Sequence, residues 1–185
     1  DTTRGPRNLC VTAIGELPAG AALRRDGARA DDDIWISGQP GLAALGLAQL
    51  QGRTTLPEAL ARRCTMALQR PLPRVELGFR LRGLATAAID VSDGLLADLG
   101  HILERSGLAA NLNEGQFPLI PPGSEPKLAR EAQLGGGDDY ELCFTTPIPL
   151  RQQVVMLAAE LDLPLWRIGY TVAASDERPA GDILL

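Results

Sequence analysis

The chain has 185 residues with a formal net charge of −5, and 45% of its residues are hydrophobic. This length can bury a sizeable core and predicts one domain, or one domain plus a piece of another. The acidic balance argues against a nucleic-acid or anionic-membrane surface. No apolar run reaches the roughly 18 residues that span a bilayer, which predicts a soluble protein. An acidic enzyme acting on phosphates would need metal cations or local arginines to offset its charge.

Three cysteines and a single histidine limit the chemistry further. Cys10, Cys64 and Cys143 lie in apolar surroundings without a C-x-x-C pair, which predicts reduced core thiols in a cytoplasmic protein. A catalytic cysteine is the less favoured alternative, because no histidine partner is signalled. With His101 as the only histidine, multi-histidine zinc sites and a serine triad built on any other histidine are excluded.

The first forty residues combine a β-rich run with turns. Asn8 to Glu16, NLCVTAIGE, is predicted to be a strand, and Leu17 to Gly20 a hinge or linker. The start, DTTRGP, is typical of the middle of a longer protein. Asp31 to Asp33 is interpreted as a solvated loop, because three adjacent carboxylates repel one another and stay hydrated. A short strand is predicted over Ile34 to Ser37.

The remaining residues alternate helices and strands without a strict βαβ rhythm or an internal repeat. Helices are predicted over 42–51, 57–69, 75–83, 95–103, 127–133 and 150–162, and strands over 86–89, 109–113, 140–145 and 163–172. This pattern suits an α+β or α/β domain, and we expect an α+β fold with helices packed on a mixed sheet.

The stretch Ile89 to Gly94, IDVSDG, joins a predicted buried strand to a leucine-rich helix. Asp90 ends the strand, and Ser92 and Asp93 suit the N-cap and first turn of the helix. Two unpaired carboxylates about 4 Å apart repel by roughly 4 kcal/mol at an effective dielectric near 20, so a proton, an arginine or a divalent cation must offset them. For this stretch alone, capping is favoured over a Mg²⁺–nucleotide site in which helix amides bind phosphate. A Walker loop is excluded, because its glycine-rich run and Gly-Lys-Ser/Thr ending are absent.

A second acidic stretch, Gly135 to Glu141, has the sequence GGGDDYE. Its glycines would allow the backbone to approach a ligand closely, and its carboxylates would accept hydrogen bonds or cations from a substrate. A flexible turn before a strand is the favoured alternative for this stretch alone. Arg24 to Gly27, RRDG, is likewise interpreted alone as an ordinary charged turn.

Taken together, four segments in this order and spacing resemble the thiamine-monophosphate kinase family: DTTRGP, LRRDG, AIDVSDGLLADLGHIL and GGGDDYELCF. The resemblance implies ATP- and Mg²⁺-dependent phosphorylation of thiamine monophosphate to thiamine diphosphate. It also implies the superfamily of aminoimidazole-ribonucleotide synthetase, selenophosphate synthetase and a hydrogenase-maturation factor. Residues 1–18 would then be the last strand region of an N-terminal ATP-binding and dimerisation domain. Residues 19–185 would form the C-terminal α+β domain of the aminoimidazole-ribonucleotide-synthetase-like fold, truncated at its end.

The resemblance implies roles for individual residues. The implied Mg²⁺ ligands are Asp1, Asp90 and Asp93. The implied ATP contacts are Asp1, Arg25 and Ser92. Asp138 stands where the family often has a glutamate that contacts the thiamine substrate, and it keeps the charge but is shorter by one methylene. Tyr140 and Glu141 are expected to serve the strand and its packing.

The implied cofactors and partners are several Mg²⁺ ions, ATP and thiamine monophosphate, in a cytoplasmic enzyme that is a homodimer at full length. Neither nucleic acid nor a membrane is expected as a partner. Because the acceptor is already an anionic phosphate, the reaction needs charge neutralisation and in-line alignment more than a general base. The alternatives are an ATP-dependent synthetase of the same superfamily and a non-catalytic, nucleotide-responsive binding module. The 185-residue chain alone is expected to show negligible turnover.

Overall fold

A computed structural model describes residues 10–185 of the chain, which form a six-stranded mixed sheet packed with helices. The strands are β1 (Asp33–Ser37), β2 (Ala87–Asp90), β3 (Leu108–Leu112), β4 (Leu142–Thr146), β5 (Leu165–Ala173) and β6 (Ile183–Leu184). Their order across the sheet is β2-β4-β1-β5-β3-β6. Neighbouring strands are antiparallel except β3 and β6, which are parallel. The predicted mixed sheet is therefore confirmed, and β2 is one of its edges.

Six α-helices accompany the sheet in the described part of the chain. They are α1 (Leu42–Leu50), α2 (Glu58–Gln69), α3 (Val75–Arg80), α4 (Leu95–Ser106), α5 (Pro126–Gly135) and α6 (Arg151–Glu160). Every helix and strand predicted from residue 34 onward is present, with its ends shifted by at most a few residues, and the predicted α+β class is confirmed. Within residues 10–185, none of the helices has the length and apolarity needed to traverse a bilayer.

The alternation of side chains along β1 divides the core between the two faces of the sheet. Ile34 and Ile36 pack with the leucines of α4 on one face, and Trp35 packs with α3 and α6 on the other. Helices α1, α2 and α5 form a further cluster around the buried Cys64. Full burial of one leucine, as at Leu99 of α4, contributes roughly 2 kcal/mol to stability. The apolar face of α4 thus anchors the helix that follows the first acidic stretch.

The strand predicted over Asn8 to Glu16 is wrong for the part that the structure describes, because residues 10–17 form no strand. Val11 is 92% exposed and Ile14 is 95% exposed, so no element among residues 10–185 covers this run. A β-rich sequence forms a strand only where another strand pairs with its backbone and its apolar face is buried. The division of the chain at residue 18 stays a prediction.

The solvated-loop interpretation of the three aspartates is wrong at two of their positions. Asp32 is 3% exposed and accepts hydrogen bonds from the Arg29 N–H at 2.9 Å and the Thr86 hydroxyl at 2.6 Å. Asp33 is 1% exposed and binds the Arg151 guanidinium through both carboxylate oxygens, at 2.7 and 2.8 Å. A buried carboxylate is tolerated where such partners replace its water.

Candidate functional site

The two acidic stretches predicted from the sequence lie side by side at the end of β2. Asp90, the last residue of β2, stands opposite Leu142 of β4, so the segments beyond these two residues continue along one another. Three backbone hydrogen bonds join them: the N–H groups of Val91, Tyr140 and Asp138 donate to the carbonyl oxygens of Glu141, Val91 and Ser92 at 2.8, 2.8 and 3.0 Å. The fold therefore brings together two stretches that are far apart in sequence.

Glycines permit this close packing. A Cβ on Gly137 would lie 2.4 Å from the Ser92 carbonyl oxygen, and one on Gly94 would lie 2.8 Å from the Gly135 carbonyl oxygen. Gly94 also has a φ of +124°, which a residue with a side chain rarely adopts. Glycine at 137 is therefore explained by packing and not by the need for a flexible turn. Whether the glycine backbone also approaches a ligand stays a prediction. The missing side chain lets one acidic stretch contact the other.

Asp98, which the sequence analysis missed, fixes the loop of residues 91–94 (the 91–94 loop). Its Oδ2 accepts hydrogen bonds from the N–H groups of Ser92, Asp93 and Gly94 at 2.9, 3.0 and 3.2 Å, and the residue is 2% exposed. The predicted capping of α4 by Ser92 and Asp93 is wrong, because Gly94 is at the N-cap and makes no side-chain cap. An acidic residue in the first turn of a helix is the local signal that could have identified Asp98.

This arrangement changes what the 91–94 loop offers a ligand. The three amides that bind Asp98 are not open to a phosphate. Phosphate binding by the first amides of α4 itself stays a prediction. Asp90 and Asp93 are exposed, and neither carboxylate has a hydrogen-bond or ion-pair partner within residues 10–185. Such oxygen ligands fit a hard divalent cation. Residues 10–185 nevertheless contain no group of three or more His, Cys, Asp or Glu side chains that could hold a metal, so this pair is at most part of a metal site.

Arg25 lies with Asp90 in a cleft of about 550 Å³ along the outer edge of β2. The Ala88 N–H donates to the Arg24 carbonyl oxygen at 2.9 Å, which holds the turn of residues 24–27 against this edge. The charged lining residues are three arginines and two aspartates: Arg24, Arg25, Arg105, Asp26 and Asp90. Arg24 pairs with Asp26 at 2.5 Å and lowers the pKa of that carboxyl. Arg25 is exposed and has no ion pair with another described residue, so its guanidinium is available to an anion.

Asp138 and Asp139 are adjacent but have different surroundings. Asp138 is exposed, and its backbone is joined to the 91–94 loop. Asp139 accepts hydrogen bonds from the N–H groups of Gly41 at 2.6 Å and Ala43 at 3.2 Å, where α1 begins. Burial raises the pKa of Asp139 to about 7, although the two amides act in the opposite direction. Of these two carboxylates, Asp138 is therefore the one that is open to solvent, and its predicted contact with the substrate stays a prediction.

Glu141 has the packing role expected of it, whereas Tyr140 does not. The Glu141 carboxylate accepts hydrogen bonds from the Arg74 guanidinium at 2.7 and 2.6 Å and from the Ser37 hydroxyl at 2.5 Å. The Ser37 oxygen in turn accepts a hydrogen bond from the Leu142 N–H at 2.9 Å, where β4 starts. The strand β4 begins at Leu142, two residues later than predicted. Tyr140 therefore precedes the strand, and it is 39% exposed.

The structure brings five sequence-predicted site residues to adjoining segments: Arg25, Asp90, Ser92, Asp93 and Asp138. The sixth, Asp1, lies outside the described residues, so its predicted contacts with Mg²⁺ and ATP stay predictions.

Comparison with protein families places the chain in a known fold family. Residues 29–181 match the family described as AIR synthase related protein, C-terminal domain. The chain belongs to this family. The membership confirms the fold family implied by the sequence motifs. The match spans residues 29–181, so strands β1 to β5, the six helices and both acidic stretches lie within this AIR synthase related domain, and β6 follows it.

Relatives and solved structures narrow the resemblance within the AIR synthase related family. The thiamine-monophosphate kinase of Salmonella typhimurium is 41% identical over 174 residues, covering 91% of this chain and 53% of that protein. The crystal structure of thiamine-monophosphate kinase from Stenotrophomonas maltophilia K279a is 43% identical with a TM-score of 0.82, covering 91% of this chain and 54% of that one. A structure of AaThiL complexed with AMPPCP and TMP is 28% identical with a TM-score of 0.69, covering 83% of this chain and 48% of that one. The chain thus spans about half the length of its relatives, and the predicted resemblance to thiamine-monophosphate kinases is confirmed.

Proposed function

We propose that the chain forms the C-terminal part of a kinase that uses ATP and Mg²⁺ to phosphorylate thiamine monophosphate to thiamine diphosphate. The observation that carries this proposal is the backbone pairing of the two acidic stretches, which sets Asp138 beside Ser92. The names of the relatives and the AMPPCP and TMP bound to AaThiL support the same activity.

The exposed carboxylates of Asp90 and Asp93 are the residues proposed to hold Mg²⁺ in this chain. They fit because their carboxylate oxygens are ligands that Mg²⁺ prefers, and because these side chains are exposed and have no hydrogen-bond or ion-pair partner within residues 10–185. Bound Mg²⁺ would supply charge neutralisation between the two anionic phosphates that must approach in line. Further ligands are needed to complete such a site, and Asp1 is the additional Mg²⁺ ligand that the sequence motifs predict in this chain.

The nucleotide and substrate contacts are assigned to neighbouring side chains. The Arg25 guanidinium in the cleft beside Asp90 is proposed to bind ATP phosphates, and the Ser92 hydroxyl is proposed to donate a hydrogen bond to the nucleotide. The Asp138 carboxylate is proposed to face the cationic thiamine end of the substrate, where opposite charge favours binding. Asp98 orients the 91–94 loop, since it binds three consecutive amides.

The experiment that tests the proposal is a product assay on the full-length gene product with ATP, Mg²⁺ and thiamine monophosphate. We expect ADP and thiamine diphosphate to appear in equal amounts. Absence of thiamine diphosphate at every Mg²⁺ concentration would contradict the kinase. Formation of aminoimidazole ribonucleotide from its formylglycinamidine precursor would instead identify the alternative synthetase.

Three further features are proposed with the kinase and await their own measurements. The full-length protein is proposed to be a homodimer, which sedimentation velocity would test. A cytoplasmic location is supported by the predicted reduced thiols: Cys64 and Cys143 are buried and free, whereas Cys10 is free but exposed, so the predicted core position is wrong for Cys10. The 185-residue chain alone is proposed to show negligible turnover, because the described residues offer an incomplete set of metal ligands.

A further inference from the structure

A second cavity, of about 530 Å³, is lined by none of the residues assigned to metal, ATP or substrate. It lies between α1, α2, the proline-rich segment that follows α2, and the start of β5. Asp139 and Glu141 form part of its wall, so it borders the segment that pairs with the 91–94 loop. Its volume falls in the range of cavities that hold small organic ligands, roughly 300–1,000 Å³.

The walls of this cavity are largely apolar and include one aromatic ring. Leu42 of α1, Met66 of α2 and Leu72 of the proline-rich segment contribute aliphatic surface. Met66 is 52% exposed and Leu72 is 70% exposed, so this surface is open to an incoming molecule. The Trp166 indole N–H donates to the Gly38 carbonyl oxygen at 2.9 Å, which fixes the orientation of the ring. A fixed indole with aliphatic neighbours suits a flat apolar ring.

The charges around the cavity favour an anion. Its two carboxylates are already satisfied, Glu141 by Arg74 and Asp139 by the amides at the start of α1. One N–H of the Arg63 guanidinium donates a hydrogen bond to the Gln39 side-chain oxygen at 2.6 Å. Neither Arg63 nor Arg70 has an ion pair with a residue of the described range. Both guanidiniums therefore have N–H groups left for a ligand.

We infer that this cavity binds a small aromatic anion, in which a flat apolar ring carries a phosphate, sulfonate or carboxylate group. The ring packs against Trp166 and Leu72, and the anionic group accepts hydrogen bonds from Arg63 and Arg70. A neutral ring would gain the apolar contact without the charge-assisted hydrogen bonds, which are the stronger ones. A cationic ring would meet two unpaired guanidiniums of like charge.

The test is calorimetric titration of the 185-residue chain with 1-naphthyl phosphate, 1-naphthalenemethanol and 1-naphthylmethylamine. We expect the phosphate to bind at least about tenfold more tightly than the neutral and cationic compounds, which corresponds to the smaller end of a charge-assisted hydrogen bond. Equal affinity for the neutral compound, or no saturable binding of the phosphate up to millimolar concentrations, would overturn the inference.

Neighbouring arginines of α2 provide a matched control. Arg63→Gln removes a guanidinium that lines the cavity, whereas Arg62→Gln removes one that does not line it and instead pairs with Glu58 at 2.7 Å. We expect Arg63→Gln and Arg70→Gln each to weaken 1-naphthyl phosphate about tenfold, and Arg62→Gln to leave it unchanged. Leu72→Glu at the exposed wall should abolish binding without unfolding the chain. If Arg62→Gln and Arg63→Gln have the same effect, the anion binds elsewhere and the inference fails.

Discussion

The backbone N–H of Asp138 donates to the carbonyl oxygen of Ser92 at 3.0 Å. This bond joins the residue assigned to the thiamine substrate to a residue assigned to ATP. Two segments that are separated in sequence by α4, β3 and α5 therefore form one local structure. A change that separates them should impair nucleotide and substrate contacts together, whereas a change in a single side chain should affect one of the two.

The first prediction concerns the glycines that allow this contact. Gly137→Ala would place a Cβ 2.4 Å from the Ser92 carbonyl oxygen, whereas Gly135→Ala meets nothing within 4 Å at the end of α5. We expect Gly137→Ala to lower the free energy of unfolding by about 2 kcal/mol. Gly135→Ala should leave it unchanged or slightly raised. Urea denaturation of both variants measures this, and equal stability would show that the two stretches are not in contact.

The second prediction concerns the buried carboxylate of Asp98. Asp98→Ala leaves three amide groups of the 91–94 loop without their acceptor, which should cost about 3 kcal/mol or more. Asp98→Asn keeps one side-chain oxygen and should cost less than Asp98→Ala. Asp176→Ala, at an exposed aspartate, serves as the control in the same denaturation experiment. A loss of stability no greater in Asp98→Ala than in this control would contradict the proposed role.

The third prediction concerns the ion pair between Arg74 and Glu141. The two side chains are 22% and 9% exposed, so removing one partner leaves a poorly solvated charge. Glu141→Gln should therefore destabilise the chain by about 3 kcal/mol. Glu58→Gln breaks the exposed pair with Arg62 and should have almost no effect. Thermal unfolding of Glu141→Gln and Glu58→Gln, followed by circular dichroism, measures the difference. Similar melting temperatures of the two variants would refute the prediction.

The fourth prediction concerns the pH dependence that Asp139 contributes. Its folded pKa of about 7 lies above its ordinary value of 3.8, so between these values the folded chain binds more protons than the unfolded chain. Stability from this group is fully present below the ordinary value and is lost as the pH rises through about 7. Asp139→Asn cannot ionise, so its stability relative to the parent should increase by about 1 kcal/mol or more over this range. Denaturation at a series of pH values tests this.

The control for this prediction is Asp176→Asn, at an exposed aspartate. Its stability relative to the parent should show no comparable change with pH. A constant difference between Asp139→Asn and the parent would mean that Asp139 is ionised throughout the range.

Much of the fold could be predicted because the relevant signals are local. The apolar period of α4 and the turn residues before it placed Asp90 at a strand end and Asp93 before a helix. The family motifs then related these positions to Arg25 and Asp138. Only the structure shows that backbone hydrogen bonds join the two acidic stretches.

The predictions that were wrong concern residues whose partner is distant in sequence, or helix ends that more than one nearby side chain could cap. Asp33 is buried because Arg151, 118 positions away, binds it, and no nearby residue signals that pair. The sequence suggested that Ser92 caps α4, whereas in the structure Asp98 of the first turn binds the amides of residues 92–94 and Gly94 stands at the N-cap. The exposed run around Val11 shows the same limit, because strand propensity cannot supply a pairing strand.

Asp90 and Asp93 are the two residues on which the proposed kinase most directly depends. The measurement is the kcat of thiamine diphosphate formation by the full-length gene product carrying Asp90→Asn or Asp93→Asn, with Mg²⁺ varied and Asp176→Asn as control. We expect kcat to fall at least about 100-fold, or roughly 2.7 kcal/mol in the activation barrier, with an unchanged circular dichroism spectrum. A kcat within about threefold of the parent at all Mg²⁺ concentrations would contradict the assignment of these carboxylates to the metal.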